Sequence, residues 1–145
     1  MFDPDKLEVT AYARKLAVST YRVTESFPRH ELFGLTSQMR RAAVSVGSNI
    51  AEGCGRSTRK AFIHALDQSA GEASELKYQC VVADDLGYAN SRALARLCAD
   101  AERVKKMLAR LMAFHRKLLP RKQTRRPRRA RSPRNHSKPD NRIIE

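Results

Sequence analysis

From Leu94 to Leu118 one three–four alternation is sustained: Leu94, Leu97, Ala101, Val104, Leu108, Leu111, His115 and Leu118. On a strand these residues would scatter over both faces. On a helix of 3.6 residues per turn all eight gather into one stripe, and that stripe has to be covered by other apolar surface. Asn90 or Ser91 can cap the start of this helix, and Pro120 closes it. The same alternation runs through Phe62, Leu66, Ser69, Ala73, Leu76, Cys80 and Ala83, on a helix that begins after Ser57 or Thr58 and ends near Leu86-Gly87. Gly87 suits the left-handed position that follows a helix. Both helices would be about 40 Å long at 1.5 Å per residue. The turn between them is short, so they should pair as an antiparallel hairpin.

Two shorter helices precede this hairpin. The first spans residues 5–26, with Val9, Ala13, Leu16, Ala17, Tyr21, Thr24 and Phe27 on its apolar side and Pro28 ending it. After a loop at 28–34 the second starts near Leu35 or Thr36, with Thr36 and Ser37 as capping candidates. Leu35, Met39, Ala42, Val46 and Ile50 form its apolar face, and Gly53-Cys54-Gly55 should stop it. The chain has no Trp and few aromatics, so its core must be mainly Leu, Val, Ile, Met and Ala, which suits helix packing. The expected fold is all-α: an antiparallel up-and-down four-helix bundle over residues 1–120, followed by a disordered Arg/Pro-rich basic tail over residues 121–145.

The tail concentrates charge. It holds Arg121, Lys122, Arg125, Arg126, Arg128, Arg129, Arg131, Arg134, Lys138 and Arg142 against only Asp140 and Glu145, within a chain of formal net charge +14. With Pro127, Pro133 and Pro139 interspersed and few apolar residues, it should not fold alone. A cationic tail on a basic body points to a polyanion, most simply RNA or DNA. The bundle adds Arg56, Arg59 and Lys60 after the second helix, and Arg103, Lys105, Lys106, Arg110, Arg116 and Lys117 on the fourth. No aromatic residue lies among the tail arginines, so contact should be with the phosphate backbone and carry little sequence preference.

The second helix has more than one notable face. Ala43, Gly47 and Ala51 recur every four residues, and Arg41, Ser45, Asn49 and Glu52 form a polar stripe beside them. Small residues at that spacing let another backbone approach, so Arg41, Ala43, Ser45, Gly47, Asn49 and Glu52 are candidates for a subunit interface. The alternative is an ordinary solvated face.

Ser26-Phe27-Pro28, the run from Leu35 to Val46 (LTSQMRRAAVSV) and Asn49-Ile50-Ala51-Glu52-Gly53 resemble the signature of a bacterial four-helix-bundle family. Its members were first noticed as reading frames in 23S rRNA intervening sequences. Arg56, Phe62, Gly71, Glu75-Leu76 and Leu86-Gly87-Tyr88 extend the resemblance over residues 8–90, and more loosely over the fourth helix. Gly47 stands where the family usually has proline, and Glu72 where it commonly has serine. The resemblance implies a bundle that assembles into a ring, commonly a pentamer. It also implies kinship with the accessory variability protein of diversity-generating retroelements, a basic pentamer that binds nucleic acid and a reverse transcriptase. The tail is not part of the family core.

Catalysis is not expected. The four histidines, His30, His64, His115 and His136, are dispersed, and no nucleophile elbow, phosphate loop or paired metal-ligand motif occurs. Cys54, Cys80 and Cys98 should be free thiols, with no metal or cofactor implied. No signal peptide or spanning segment is recognisable, so a soluble cytoplasmic protein is expected, without membrane contact. The leading reading is a homo-oligomeric nucleic-acid-binding protein. The alternative is a scaffold that docks a partner enzyme such as a reverse transcriptase.

Overall fold

Four helices follow one another in the order the periodicity predicts: α1 (Glu8–Thr24), α2 (Leu35–Cys54), α3 (Arg59–Asp85) and α4 (Ser91–Lys117). The computed structural model describes residues 2–121, so the disorder expected of the tail falls, beyond Arg121, outside the described residues. Neighbouring helices run antiparallel. Arg40 of α2 reaches Thr24 at the end of α1, Ser69 of α3 reaches Val46 of α2, and Lys77 of α3 meets Glu102 of α4. α1 packs on both α2 and α4 and closes the bundle.

The α3 stripe is buried in full, from Phe62 to Ala83. Thr58 caps its first turn, accepting the Ala61 N–H at 3.1 Å, and Gly87 ends it at φ +69°. On α4 the stripe holds at Leu94, Leu97, Ala101, Val104, Leu108 and His115 and departs from expectation at two positions. Met112 is buried, Leu111 only half-buried, and Leu118 exposed. A strict seven-residue repeat drifts about 20° per heptad on a straight helix, so after two heptads the next residue faces inward.

α1 starts later than residue 5, because Pro4–Lys6 forms a separate 3-10 turn capped by the Asp3 carboxylate, which accepts the Asp5 N–H at 3.0 Å. Thr20, not Tyr21, completes the buried side of α1. Its hydroxyl donates to the Leu16 carbonyl at 2.8 Å, which removes the penalty for burying it. Tyr21 turns outward beneath the Arg40 guanidinium, 4.7 Å from its ring centre.

Neither Thr36 nor Ser37 caps α2. Gly34 holds the cap position, and the Glu31 carboxylate accepts the Leu35 N–H at 2.9 Å. Thr36 instead faces the core. The Gly53-Cys54-Gly55 cluster ends the helix as expected, with Cys54 its last residue and Gly55 in the cap position. A Cβ at Gly53 would lie 2.6 Å from the Ala65 Cβ, so the glycine lets α2 and α3 touch there. Cys54 and Cys80 are buried free thiols and Cys98 is half-buried. Burial, aided by Cys98, pushes the Cys80 thiol up to about 12, which leaves it unreactive. No described helix is long and apolar enough to cross a membrane.

Candidate nucleic-acid interface

The inward stripe of α4 determines what its outer face presents. Residues opposite Leu94, Leu97, Ala101, Val104 and Leu108 are Arg92, Arg96, Arg103, Lys106, Arg110 and Lys117, and all six are exposed. They recur at spacings of four, seven, three, four and seven, which keeps them in one line on a 3.6-residue helix. From Arg92 to Lys117 the line is about 37 Å long. No acidic residue interrupts it, and among the described residues none of the six is in an ion pair.

The acids of α4 lie on its flanks. Glu102 takes Lys77 at 2.5 Å and Lys105 at 3.8 Å. The hydrogen bond from Lys77 holds the Glu102 carboxyl below its usual range and raises Lys77 in return. Beside the line, α1 and α4 leave two grooves. One, about 490 Å³, lies between Tyr12 of α1 and Met107, Leu111 and Phe114 of α4, with Arg103 and Arg110 among its lining. The other, about 540 Å³, brings Arg22 of α1 to Arg92 and Arg96.

The family model described as 23S rRNA-intervening sequence protein matches residues 5–110. The chain belongs to that family. A solved structure from Bacteroides thetaiotaomicron, described as a protein of unknown function from the S23 ribosomal protein family, has the same fold at 22% identity and a TM-score of 0.67. The alignment covers 72% of this chain and 95% of that one. No curated protein matches the chain. Within this member of the 23S rRNA-intervening sequence family, the match takes in Arg92, Arg96, Arg103, Lys106 and Arg110 and stops short of Lys117 and the tail.

The cationic residues singled out in the sequence fare unequally. Arg56 is paired with Glu52 one turn earlier. Arg59 is half-buried, and its guanidinium donates to Nδ1 of His115 on α4, close to the Phe2 ring. That inward contact leaves Arg59 less open to solvent than Lys60 beside it. Lys60 and Arg121 are exposed. Lys105 leans on Glu102, and Arg116 lies against the Met112 sulfur at 3.9 Å. Lys122, Arg125, Arg126, Arg128, Arg129, Arg131 and Arg134 lie outside the described residues.

Of the interface candidates on α2, Arg41 and Glu52 are exposed, and Ser45 and Asn49 are half-buried. Ala43 departs from expectation: it is fully buried within the subunit. Gly47 faces α1, where a Cβ would meet Ala13 at 3.7 Å, and α2 runs through it unbroken. Burial, then Glu75, raises the Glu72 carboxyl, and the Arg41 charge works against that rise. Sequence reasoning missed Arg22, Arg92 and Arg96. The signal for the last was present, because Arg96, Arg103, Arg110 and Lys117 form a strict heptad.

His115 sits among Phe2, Phe62 and Phe114, with ring centres 4.9–5.2 Å from its own. Burial, then the Arg59 charge, holds it below its ordinary pKa of 6.5, and donation from Arg59 to Nδ1 requires a neutral ring. The unfolded chain protonates His115 more readily than the folded one. Its contribution is therefore complete above about pH 6.5 and is lost as pH falls towards the lower folded value. Urea unfolding of the protein and of His115→Gln at about pH 7.5 and 5.5 checks this. The parent should lose more stability than the variant on acidification, and equal losses would reject it.

Proposed function

We propose that this protein binds the phosphate backbone of RNA or DNA, with low sequence specificity and without catalysis, as a homo-oligomeric ring such as a pentamer. The observation that carries the reading is the uninterrupted line of six exposed cations on α4. Such a line neutralises phosphates and releases their condensed counterions. The name of the family, tied to 23S rRNA, supports RNA as one natural ligand. The ten cations of residues 121–145 add sequence-independent attraction, and a ring would present several lines and tails together. Arg41, Val44, Ser48, Ala51 and Glu52 are exposed on α2, with Ser45 and Asn49 half-buried beside them, and this face supports self-association.

Fluorescence anisotropy with single-stranded RNA, single-stranded DNA and duplex probes tests this. Six phosphate contacts to a duplex give a slope of log K against log salt of about −5, or roughly a 1,000-fold loss of affinity between 50 and 200 mM. Deleting residues 122–145 should weaken binding further and leave the contribution of α4. Absence of binding to every probe at about 50 mM salt, where such contacts are strong, would sink the proposal. Light scattering on the same sample reads the assembly, and a monomer would remove the ring.

One observation favours a second reading, a scaffold for another protein. Phe33 is 93% exposed and Leu32 48% exposed at the loop before α2, an apolar handle that phosphate binding does not use. Under that reading, loss of the α4 cations would leave partner capture intact.

A further inference from the structure

The groove between Tyr12 and Phe114 places apolar surface directly beside the cationic line, which backbone contact alone does not need. We propose that it receives one unpaired nucleobase of a single-stranded polynucleotide, while Arg103 and Arg110 hold the phosphates on either side. This deepens the nucleic-acid reading above and rests on it.

Three features of the groove favour a base. Phe114 is a large apolar ring left 59% exposed, while the adjacent ring on α4, His115, is buried. Covering such a ring with the face of a base is favourable for any base, because each presents a π-surface. Arg103 and Arg110 stand two turns apart, about 10 Å along α4, with Met107 between them as part of the groove floor. Arg103 is also placed over the Tyr12 ring, 5.6 Å from its centre, so its planar cation borders the apolar space. These arginines belong to a line of six like charges, so the complementary ligand is a polyanion with an apolar face at one unit. Single-stranded nucleic acid has that chemistry. A duplex does not offer it, since its base faces are stacked on one another.

Glu8 is the one carboxylate in the groove lining. It repels a phosphate at its own position, and it can accept a hydrogen bond from the exocyclic amino group of adenine, cytosine or guanine. A base entering edge-first beside Glu8, with its backbone on the arginine side, satisfies both charges.

The chain contains no Trp, so Phe114→Trp makes the groove its own fluorescent reporter in the full-length protein. Oligo(A) should quench that emission over the concentration range in which anisotropy reports binding, and a duplex of equal length should not. Phe114→Ala should weaken oligo(A) roughly 5- to 100-fold, with duplex affinity and both salt slopes unchanged. Phe114→Trp should restore the single-strand affinity. Unquenched emission with binding intact, or equal losses for both probes in Phe114→Ala, would overturn the base site while leaving the phosphate reading in place. Quenching by oleate but not by oligo(A) would also overturn it. Failure of the parent protein to bind any polynucleotide at low salt would instead end the reading on which it rests.

Discussion

Replacing Arg96, Arg103, Lys106 and Arg110 together by Gln should flatten the salt dependence of duplex binding by about 3.6 in slope, at 0.9 per phosphate contact. At 0.1 M salt the same arithmetic weakens binding by roughly three orders of magnitude or more. The four side chains are exposed and without ion-pair partners among the described residues, so the fold should not suffer. Gln has nearly the helix propensity of Arg and Lys. The change also relieves repulsion between like charges at i, i+3 and i, i+4, such as Arg103–Lys106 and Lys106–Arg110, each worth a few tenths of a kcal/mol. The expected result is a protein of equal or slightly higher stability that has lost most of its affinity. Anisotropy titrations at several salt concentrations, paired with thermal unfolding, separate the two quantities. An unchanged slope would move the binding surface off α4, leaving residues 121–145 as its carrier.

Phe62→Ala should have the largest effect on the fold itself. Phe62 is fully buried at the end of the bundle where four segments meet. Its ring centre lies 4.7 Å from that of Phe2 and 4.9 Å from that of His115, and its atoms come within 3.4 Å of where a Cβ at Gly53 would stand. Truncation removes an aromatic side chain from a site closed on all sides, so the cavity cannot collapse easily. The loss should be about 3–5 kcal/mol, a large share of the 5–15 kcal/mol typical of a domain. For a bundle of this size that lowers Tm by about 12–20 °C. The N-terminal segment should loosen as well, because Phe2 rests on this ring and its N–H donates to the Cys54 carbonyl at 2.9 Å. Calorimetry or urea unfolding measures the loss. A change below about 1 kcal/mol would mean that this end of the bundle is not packed as described.

Much of the architecture is legible in the chain because helix periodicity is local. All seven residues of the α3 stripe are buried, Thr58 and Asn90 cap the helices they precede, and Gly87 takes the left-handed position. Errors occur where a residue's place depends on a neighbouring helix. Tyr21 scores as apolar, yet Thr20 is inside, because a threonine hydroxyl can be satisfied by its own helix and the Tyr21 ring finds Arg40 outside. Ala43 and Gly47 look like a free surface of small residues in the sequence, yet Ala43 is buried within the subunit and Gly47 faces Ala13 of α1. Gly53 lies in the cluster that ends α2 as expected, but its second role, admitting Ala65 where a side chain would stand, depends on α3.

The candidate site divides along the same line. The sequence by itself determined that the protein is a bundle of four helices in series, that the last two pair as a hairpin, and that positive charge dominates. These follow from the 3.6-residue repeat, from short turns and from composition, none of which needs a distant partner. Only the tertiary structure decided which cations are available. It turned Arg59 inward onto His115 and left the α4 line without ion-pair partners among the described residues, whereas the Arg56–Glu52 pair is an i, i+4 contact that the sequence spacing already allows. It also created the groove where Tyr12 meets Phe114, two residues a hundred positions apart. Which charge is neutralised and which apolar surface stays open depend on the register between packed helices, and no periodicity within a single helix encodes that register.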